Sequence, residues 1–198
     1  MSSLNSCYSL SEYLNEKGYT ELEGNSNQVP GQINLLHLLS LKAKHILEIG
    51  FNAGHSAEIF LQANSESKVV SFDIGQHDYV KVGKEYIDKT FPGRHELVLG
   101  DSLKTIPSYS SDVKFDLIFI DGCHDLEFAK GDFGNCKRFS HKDTIVIMDD
   151  TIFTTGWNRF WNDGPSNAIV DAIRNKEFQM LAHADFTIGR GMCWGKYI

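Results

Sequence analysis

Short apolar segments alternate with amphipathic segments along most of this chain. The apolar segments are rich in Val, Ile and Phe and are bounded by turn residues, which predicts β-strands. These predicted strands cover residues 45–50, 68–74, 95–99, 115–121 and 143–149. Helices are predicted between them, over residues 55–64, 79–90, 102–107 and 125–138. This alternation predicts a parallel sheet with helices on both faces, the doubly wound, Rossmann-like α/β class.

The two ends of the chain depart from the alternation. Two helices, over 10–18 and 30–41, come first, and region 1–42 is predicted to form a cap or the substrate side of the domain. Near the other end, a helix over 165–176 would have Pro165 at its first position, where a missing N–H is tolerated. Strands over 178–184 and 192–198, joined through 185–191, predict an antiparallel hairpin. The hairpin would complete a seven-stranded, mostly parallel sheet.

Composition narrows the class of protein. A chain of 198 residues with 41% hydrophobic and 23% charged residues is typical of one globular domain, here 1–198. The net charge of −7 disfavours a nucleic-acid partner, and no apolar run is long enough to span a bilayer. The N-terminus lacks the basic start and apolar run of a secretory signal, and the four cysteines form no C-x-x-C pair. We therefore expect a reduced, cytoplasmic protein without a zinc site.

The first predicted strand runs into a glycine turn. Glu48 lies near the end of this strand, and Gly50-x-x-x-Gly54 leads into a helix, a layout that builds a ligand pocket at a strand end. In dinucleotide-binding loops the middle position of G-x-G-x-x-G is glycine, whereas here it is Asn52. The loop is therefore better suited to a ligand without phosphate. Asp73, which ends the second strand, can accept hydrogen bonds from ribose hydroxyls, or it can be an ordinary polar strand end.

The stretch Leu-Glu-Ile-Gly-Phe-Asn-Ala-Gly-His-Ser, residues 47–56, resembles motif I of class I S-adenosylmethionine (SAM)-dependent methyltransferases. The resemblance implies SAM as cofactor, with Glu48 near its ammonium group, although a structural bond to loop backbone is the alternative. It also places Asp101 near the adenine amino group, while Asp101 could equally cap the following helix. The remaining cofactor-binding residues implied by the resemblance are Gly50, Asn52, Gly54, His55, Ser56, Asp73, Ser102 and Asp121.

Three carboxylates follow the fourth and fifth predicted strands. Asp121 follows one strand, and Asp149 and Asp150 end the other, so they should converge at the edge of the sheet where open α/β folds bind ligands. Neighbouring carboxylates repel each other unless they are protonated or hold a cation, and oxygen ligands suit Mg²⁺ or Ca²⁺. The alternative is that the acids bind the substrate directly.

These acids also resemble those of the metal-dependent O-methyltransferases of the catechol and sugar-modifying type. The stretch from Asp121 to Glu127 is similar to their D-G-x-H-x-Y-E signature, with Leu126 in the place of the aromatic residue. The resemblance implies that Asp121, Asp149 and Asp150 bind Mg²⁺ and that the substrate is a small hydroxylated molecule. His124 is the candidate general base and Asp121 the second catalytic residue, although His124 could instead only orient Asp121 or a loop. Related enzymes are often homodimers.

An aromatic segment follows the acid pair. Trp157, Phe160 and Trp161 lie within 151–164, and they either wall the acceptor pocket as a lid or pack against the sheet edge or a second subunit. Other functions remain open on this fold. A metal-independent methyltransferase, including one with a protein acceptor, is one, and a non-catalytic cofactor-binding module is another. An NAD-dependent oxidoreductase is disfavoured by Asn52 and by the terminal hairpin.

Overall fold

The computed structural model describes residues 9–24 and 29–198. Some predictions concern residues outside these ranges. They are the lack of a secretory signal at the N-terminus, the reduced state of Cys7, and the parts of the cap within 1–8 and 25–28. The helices are α1 (Leu10–Glu16), α2 (Pro30–Ser40), α3 (His55–Ala63), α4 (Tyr79–Thr90), α5 (Ser102–Ser108), α6 (Leu126–Cys136) and α7 (Asp163–Arg174). The strands are β1 (His45–Ile49), β2 (Lys68–Asp73), β3 (His95–Leu99), β4 (Phe115–Ile120), β5 (Ser140–Asp149), β6 (Phe178–Thr187) and β7 (Arg190–Tyr197).

All seven strands belong to one sheet with the order β3-β2-β1-β4-β5-β7-β6. The first five strands pair in parallel, and β7 pairs antiparallel with both β5 and β6. The predicted fold class is confirmed, including the terminal hairpin. Chain order reverses between β1 and β4, and the crevice at such a switch point is where open α/β sheets bind ligands.

The sheet separates two apolar cores because successive side chains of a strand point to opposite faces. On β1, Ile46 packs in one core, whereas Leu47 and Ile49 pack in the other. The first core lies under the N-terminal helices and contains Leu36 of α2, while the second lies under α6 and α7 and contains Phe133. Burial on both faces explains why the central strands are continuous apolar runs.

Two predicted boundaries near the C-terminus are wrong. Helix α7 begins at Asp163, directly after a 3-10 helix over Phe160–Asn162, so Pro165 is its third residue. A proline in this first turn removes no intrahelical hydrogen bond, since the first N–H groups have no partner in the helix. The predicted connection over 185–191 is strand instead, and only Ile188 and Gly189 form the turn between β6 and β7. Gly189 adopts a φ of 74°, which suits glycine in such a tight turn.

Two other elements also differ from the predictions. β5 begins at Ser140, three residues before the predicted start, and its pairing with β4 shifts register between Phe115 and Leu117. The helix predicted over 125–138 spans Leu126–Cys136 and continues as a 3-10 helix over Lys137–Phe139. Within the described part of the chain, no helix is both long enough and apolar enough to cross a membrane.

Candidate active site

The glycine loop between β1 and α3 has a backbone that few residues can adopt. Gly50, Asn52 and Gly54 have φ angles of 93°, 52° and 95°. A Cβ atom on Gly50 would lie 1.8 Å from the carbonyl oxygen of Asp121, so the ends of β1 and β4 are in direct contact here. The Gly50 N–H also donates to the Phe72 carbonyl oxygen on β2 (2.8 Å). The loop is therefore fixed between its two neighbouring strands.

Asp73 lies at the carboxyl end of β2, as predicted, and it holds the glycine loop. Its Oδ2 accepts a hydrogen bond from the Asn52 N–H (2.8 Å), and its Oδ1 accepts one from the Gly75 N–H (2.7 Å). The Asn52 side chain in turn donates to the carbonyl oxygens of Glu23 and Gly24, at 2.5 and 3.0 Å. Asn52 thus joins the loop to the segment that precedes α2. Contact between Asp73 and a ribose stays a prediction.

Glu48 lies beneath the loop and has no exposed surface. The Ser56 hydroxyl donates to its Oε1 (2.5 Å), and the Ser71 hydroxyl donates to its Oε2. Burial raises the pKa of Glu48 to about 7, against the opposing effect of these two hydroxyls. His95 extends the network through Ser71 (2.9 Å). This geometry is closest to the structural alternative, although the partners are serine hydroxyls rather than loop backbone, and a cofactor contact stays a prediction.

His55 is the first residue of α3, but it faces the N-terminal helix. Its Nε2 hydrogen-bonds the Ser11 hydroxyl of α1 (3.1 Å), and burial lowers its pKa to about 4. Asp101 caps α5, since its carboxylate accepts from the Leu103 N–H (3.0 Å), and it pairs with Lys104 (2.9 Å). The capping alternative is therefore confirmed, whereas the adenine contacts of Asp101 and Ser102 stay predictions.

The predicted acids converge at the carboxyl ends of β4 and β5. Asp149 and Asp150 are 3% and 4% exposed, and Asp150 adopts a φ of 53°. Burial and the neighbouring carboxylates raise the pKa of Asp121 well above its usual range and that of Asp149 to about 7. One oxygen of Asp149 and one of Asp150, Oδ1 in each, is buried and has no hydrogen-bond partner among residues 9–24 and 29–198. Buried carboxylate oxygens with no partner suit a divalent cation.

His124 joins this cluster through Asp150. Its Nε2 lies 2.9 Å from Asp150 Oδ2, and this hydrogen bond raises the pKa of the imidazole. Asp121, His124 and Asp150 each offer one ligand atom within 4.8 Å of the others. Of the three predicted metal ligands, Asp121 and Asp150 are thus in this group. Asp149 is instead engaged through Oδ2 by a residue that the sequence did not reveal, Gln32.

Gln32 and Arg190 are site residues that the motifs missed. The Gln32 amide nitrogen donates to Asp149 Oδ2 (2.5 Å), and its oxygen accepts from Arg190 Nη2 (3.1 Å). Gln32 lies in a helix that also carries Asn34, His37 and Ser40, and Arg190 lies in the segment predicted as a loop, so neither belongs to a recognisable motif. One signal pointed to Gln32, since a polar residue on the buried face of an amphipathic helix needs a polar partner.

The aromatic segment after β5 packs against the β6–β7 turn. The Trp157 carbonyl oxygen accepts from the Gly189 N–H (2.7 Å), and the Trp161 indole N–H donates to the Gly189 oxygen (3.1 Å). Phe160 is 84% exposed. The Trp161 side chain thus follows the alternative of packing at the sheet edge, whereas Trp157 is joined to the turn through its backbone. Phe160 lies on the surface, and its contact with an acceptor or a second subunit stays a prediction.

Comparisons with known proteins agree with this geometry. A family model described as "Methyltransferase domain" matches residues 47–151, just over half of the chain, which includes the glycine loop and all three acids. No curated protein matches the sequence.

Solved structures that are similar to the chain include two O-methyltransferases with a bound cofactor or cofactor product. An O-methyltransferase from Bacillus cereus in complex with S-adenosylhomocysteine (SAH) has 22% identity and a TM-score of 0.75, over 96% of this chain and 90% of the other. The O-methyltransferase TomG from Streptomyces achromogenes, involved in tomaymycin synthesis and in complex with SAM, has 17% identity and a TM-score of 0.73, over 95% and 87%. At this identity the likeness shows the fold.

Proposed function

Because the chain belongs to the methyltransferase-domain family, we propose that it transfers a methyl group from SAM to a hydroxyl oxygen of a small molecule. The observation that carries the proposal is the contact between the glycine loop and the acid cluster. A Cβ on Gly50 would touch the backbone of Asp121, whose side chain groups with His124 and Asp150. A cofactor held at the loop would therefore present its methyl group beside these side chains. SAM-bound and SAH-bound O-methyltransferases of the same fold support this assignment.

In this proposal His124 removes the proton from the acceptor hydroxyl. With its Nε2–H donated to Asp150, the imidazole is oriented and its Nδ1 is left to accept the proton, the logic of an acid-oriented histidine base. The acceptor oxygen then forms a bond to the methyl carbon while the carbon–sulfur bond breaks, and the electron pair stays on sulfur to give SAH. Positioning of the two reactants supplies much of the acceleration.

The carboxylates fit a divalent cation, which we propose to be Mg²⁺. Asp121, Asp149 and Asp150 would hold it, as supported by the two buried Oδ1 atoms without partners. When bound, such an ion makes a coordinated hydroxyl more acidic. We further propose a cytoplasmic location, since Cys123, Cys136 and Cys193 are free thiols, and a homodimer stays a prediction.

Calorimetry with SAH and with NAD tests the cofactor, and methyl transfer to a panel of phenols, catechols and sugars tests the reaction. We expect SAH binding without NAD binding, and turnover that chelation abolishes and Mg²⁺ restores. His124→Gln should lower kcat by about 10²- to 10⁴-fold. His141→Gln is the matched control, because this histidine pairs with Asp116 elsewhere on the sheet.

Each alternative has its own outcome in these experiments. Absence of SAH binding refutes the proposed function, and NAD binding indicates an oxidoreductase. SAH binding without turnover on any acceptor indicates a binding module. Full activity of Asp149→Ala in the presence of a chelator would show that methyl transfer takes place without the metal.

A further inference from the structure

Gln32 links three elements at the acid cluster. It is the third residue of α2 and only 1% exposed, and both ends of its amide are engaged. The nitrogen donates to Asp149 at the end of β5, and the oxygen accepts from Arg190 at the start of β7. Helix α2 thus reaches the site through a buried side chain.

The chemistry of an amide suits this position. The carboxylate of Asp149 needs a donor, and the guanidinium of Arg190 needs an acceptor, so only one amide orientation satisfies both. A glutamate carboxylate in this place would face the Asp149 carboxylate with no donor between them, and a lysine ammonium could not accept from Arg190. An apolar side chain would leave Asp149 Oδ2 buried without its donor, which is costly.

The contact also decides which oxygen of Asp149 can face a ligand. Gln32 engages Oδ2, while Oδ1 of Asp149 and Oδ1 of Asp150 are buried and have no partner in the described part of the chain. A second contact, independent of Gln32, holds the start of α2 against β6. A Cβ on Gly31 would lie 2.8 Å from the Phe186 ring of this strand. The helix start is therefore packed tightly where Gln32 enters the site.

We propose that Gln32 is a positioning residue that orients Asp149 so that its Oδ1 faces a divalent cation. Docking of α2 on the sheet thereby raises the affinity of the site for the ion. This inference rests on the metal role given under the proposed function. Residues that hold metal ligands in place commonly contribute 10- to 100-fold to metal affinity, and we expect an effect of that size.

The test compares Gln32→Met with Gln62→Met. Methionine has a similar length but makes no amide hydrogen bonds, and Gln62 is an exposed glutamine on α3. Binding of Mn²⁺ alone is followed through the electron paramagnetic resonance signal of the free ion, and SAH binding is measured by calorimetry without metal. Gln32→Met should raise the Kd for Mn²⁺ by about 10- to 100-fold and leave the Kd for SAH unchanged. Gln62→Met should change neither.

A double-mutant cycle separates positioning from general damage. If Gln32 acts through Asp149, Gln32→Met should change the Mn²⁺ affinity less than about 2-fold in an Asp149→Asn background. Should Gln32→Met not fold, Gln32→Asn, whose shorter amide cannot reach both partners, carries the same expectation.

Equal Mn²⁺ affinity of the variant and the wild type would overturn the inference, and so would a parallel loss of SAH affinity or additive effects in the cycle. A wild-type protein that binds SAH but not Mn²⁺ would overturn this inference and the metal role while leaving methyl transfer standing. A protein that binds Mn²⁺ as expected but not SAH would instead refute the proposed function.

Discussion

Replacing Gly50 by alanine should damage both the fold and the cofactor site. A φ of 93° costs a residue with a Cβ about 1–2 kcal/mol. The new Cβ would also lie 1.8 Å from the Asp121 oxygen, whereas real Cβ contacts begin near 3.0 Å. The ends of β1 and β4 would have to move apart, although the Asp121 N–H bond to the Ile49 oxygen (2.8 Å) holds them together. Straining this bond and the Gly50–Phe72 bond adds about 1 kcal/mol each.

Gly93→Ala provides the control, because Gly93 has a φ of 71° but no atom within 4 Å of the Cβ that an alanine would add. The Gly93→Ala variant therefore has only the cost of placing alanine at a positive φ, about 1–2 kcal/mol in the free energy of unfolding. Urea unfolding should therefore show Gly50→Ala to be at least about 2 kcal/mol less stable than Gly93→Ala. Calorimetry should show SAH affinity at least about 10-fold weaker for Gly50→Ala only. Equal stability and equal SAH affinity of the two variants would refute the role assigned to the loop contact.

Three further predictions concern single side chains. Because the pKa of Glu48 is raised from 4.5 to about 7 in the folded protein, its stabilising contribution is complete below pH 4.5 and lost as the pH rises through 7. In urea unfolding, the free energy of unfolding of the wild type should fall by roughly 3 kcal/mol between about pH 4.5 and 8 because of this group. Glu48→Gln should remove that fall, and a fall of the same size in the variant would contradict the prediction. Asp73→Ala leaves the Asn52 N–H without its acceptor and should weaken SAH binding by about 10-fold or more. An unchanged Kd for SAH in calorimetry would disprove this prediction. Arg94→Ala removes a guanidinium donor from the Leu61 oxygen (2.8 Å) and should lower the melting temperature by about 2–4 °C, whereas a shift below about 1 °C would argue against this role.

The central strands and the glycine loop were predictable because each carries its own local signal. Strand β1 is buried on both faces and therefore reads as an apolar run, and the glycines at 50 and 54 mark backbone that needs positive φ. Asp121, Asp149 and Asp150 could be grouped from topology alone, since the ends of adjacent parallel strands meet.

Contacts between distant segments could not be read from the sequence in this way. Gln32 and Asp149 are 117 positions apart, and no local pattern shows which residue a buried glutamine in α2 pairs with. The roles of His55 and Glu48 depended on which neighbours packed against them, Ser11 in one case and two serines in the other. The hairpin was predicted too short because Asp185, Gly189 and Gly191 are typical of loops, yet pairing between β6 and β7 extends the strands to the turn.

The turn between β6 and β7 and the segment over 151–162 form one hydrogen-bonded unit. The N–H of Gly189 is satisfied by Trp157, and its carbonyl oxygen accepts from both Trp161 and Asn162. A transplant of the 151–162 segment alone would remove the Trp161 and Asn162 side chains that donate to this turn. Any exchange of this segment therefore has to move the segment and the hairpin tip together, while the glycine-loop half of the sheet can be kept unchanged.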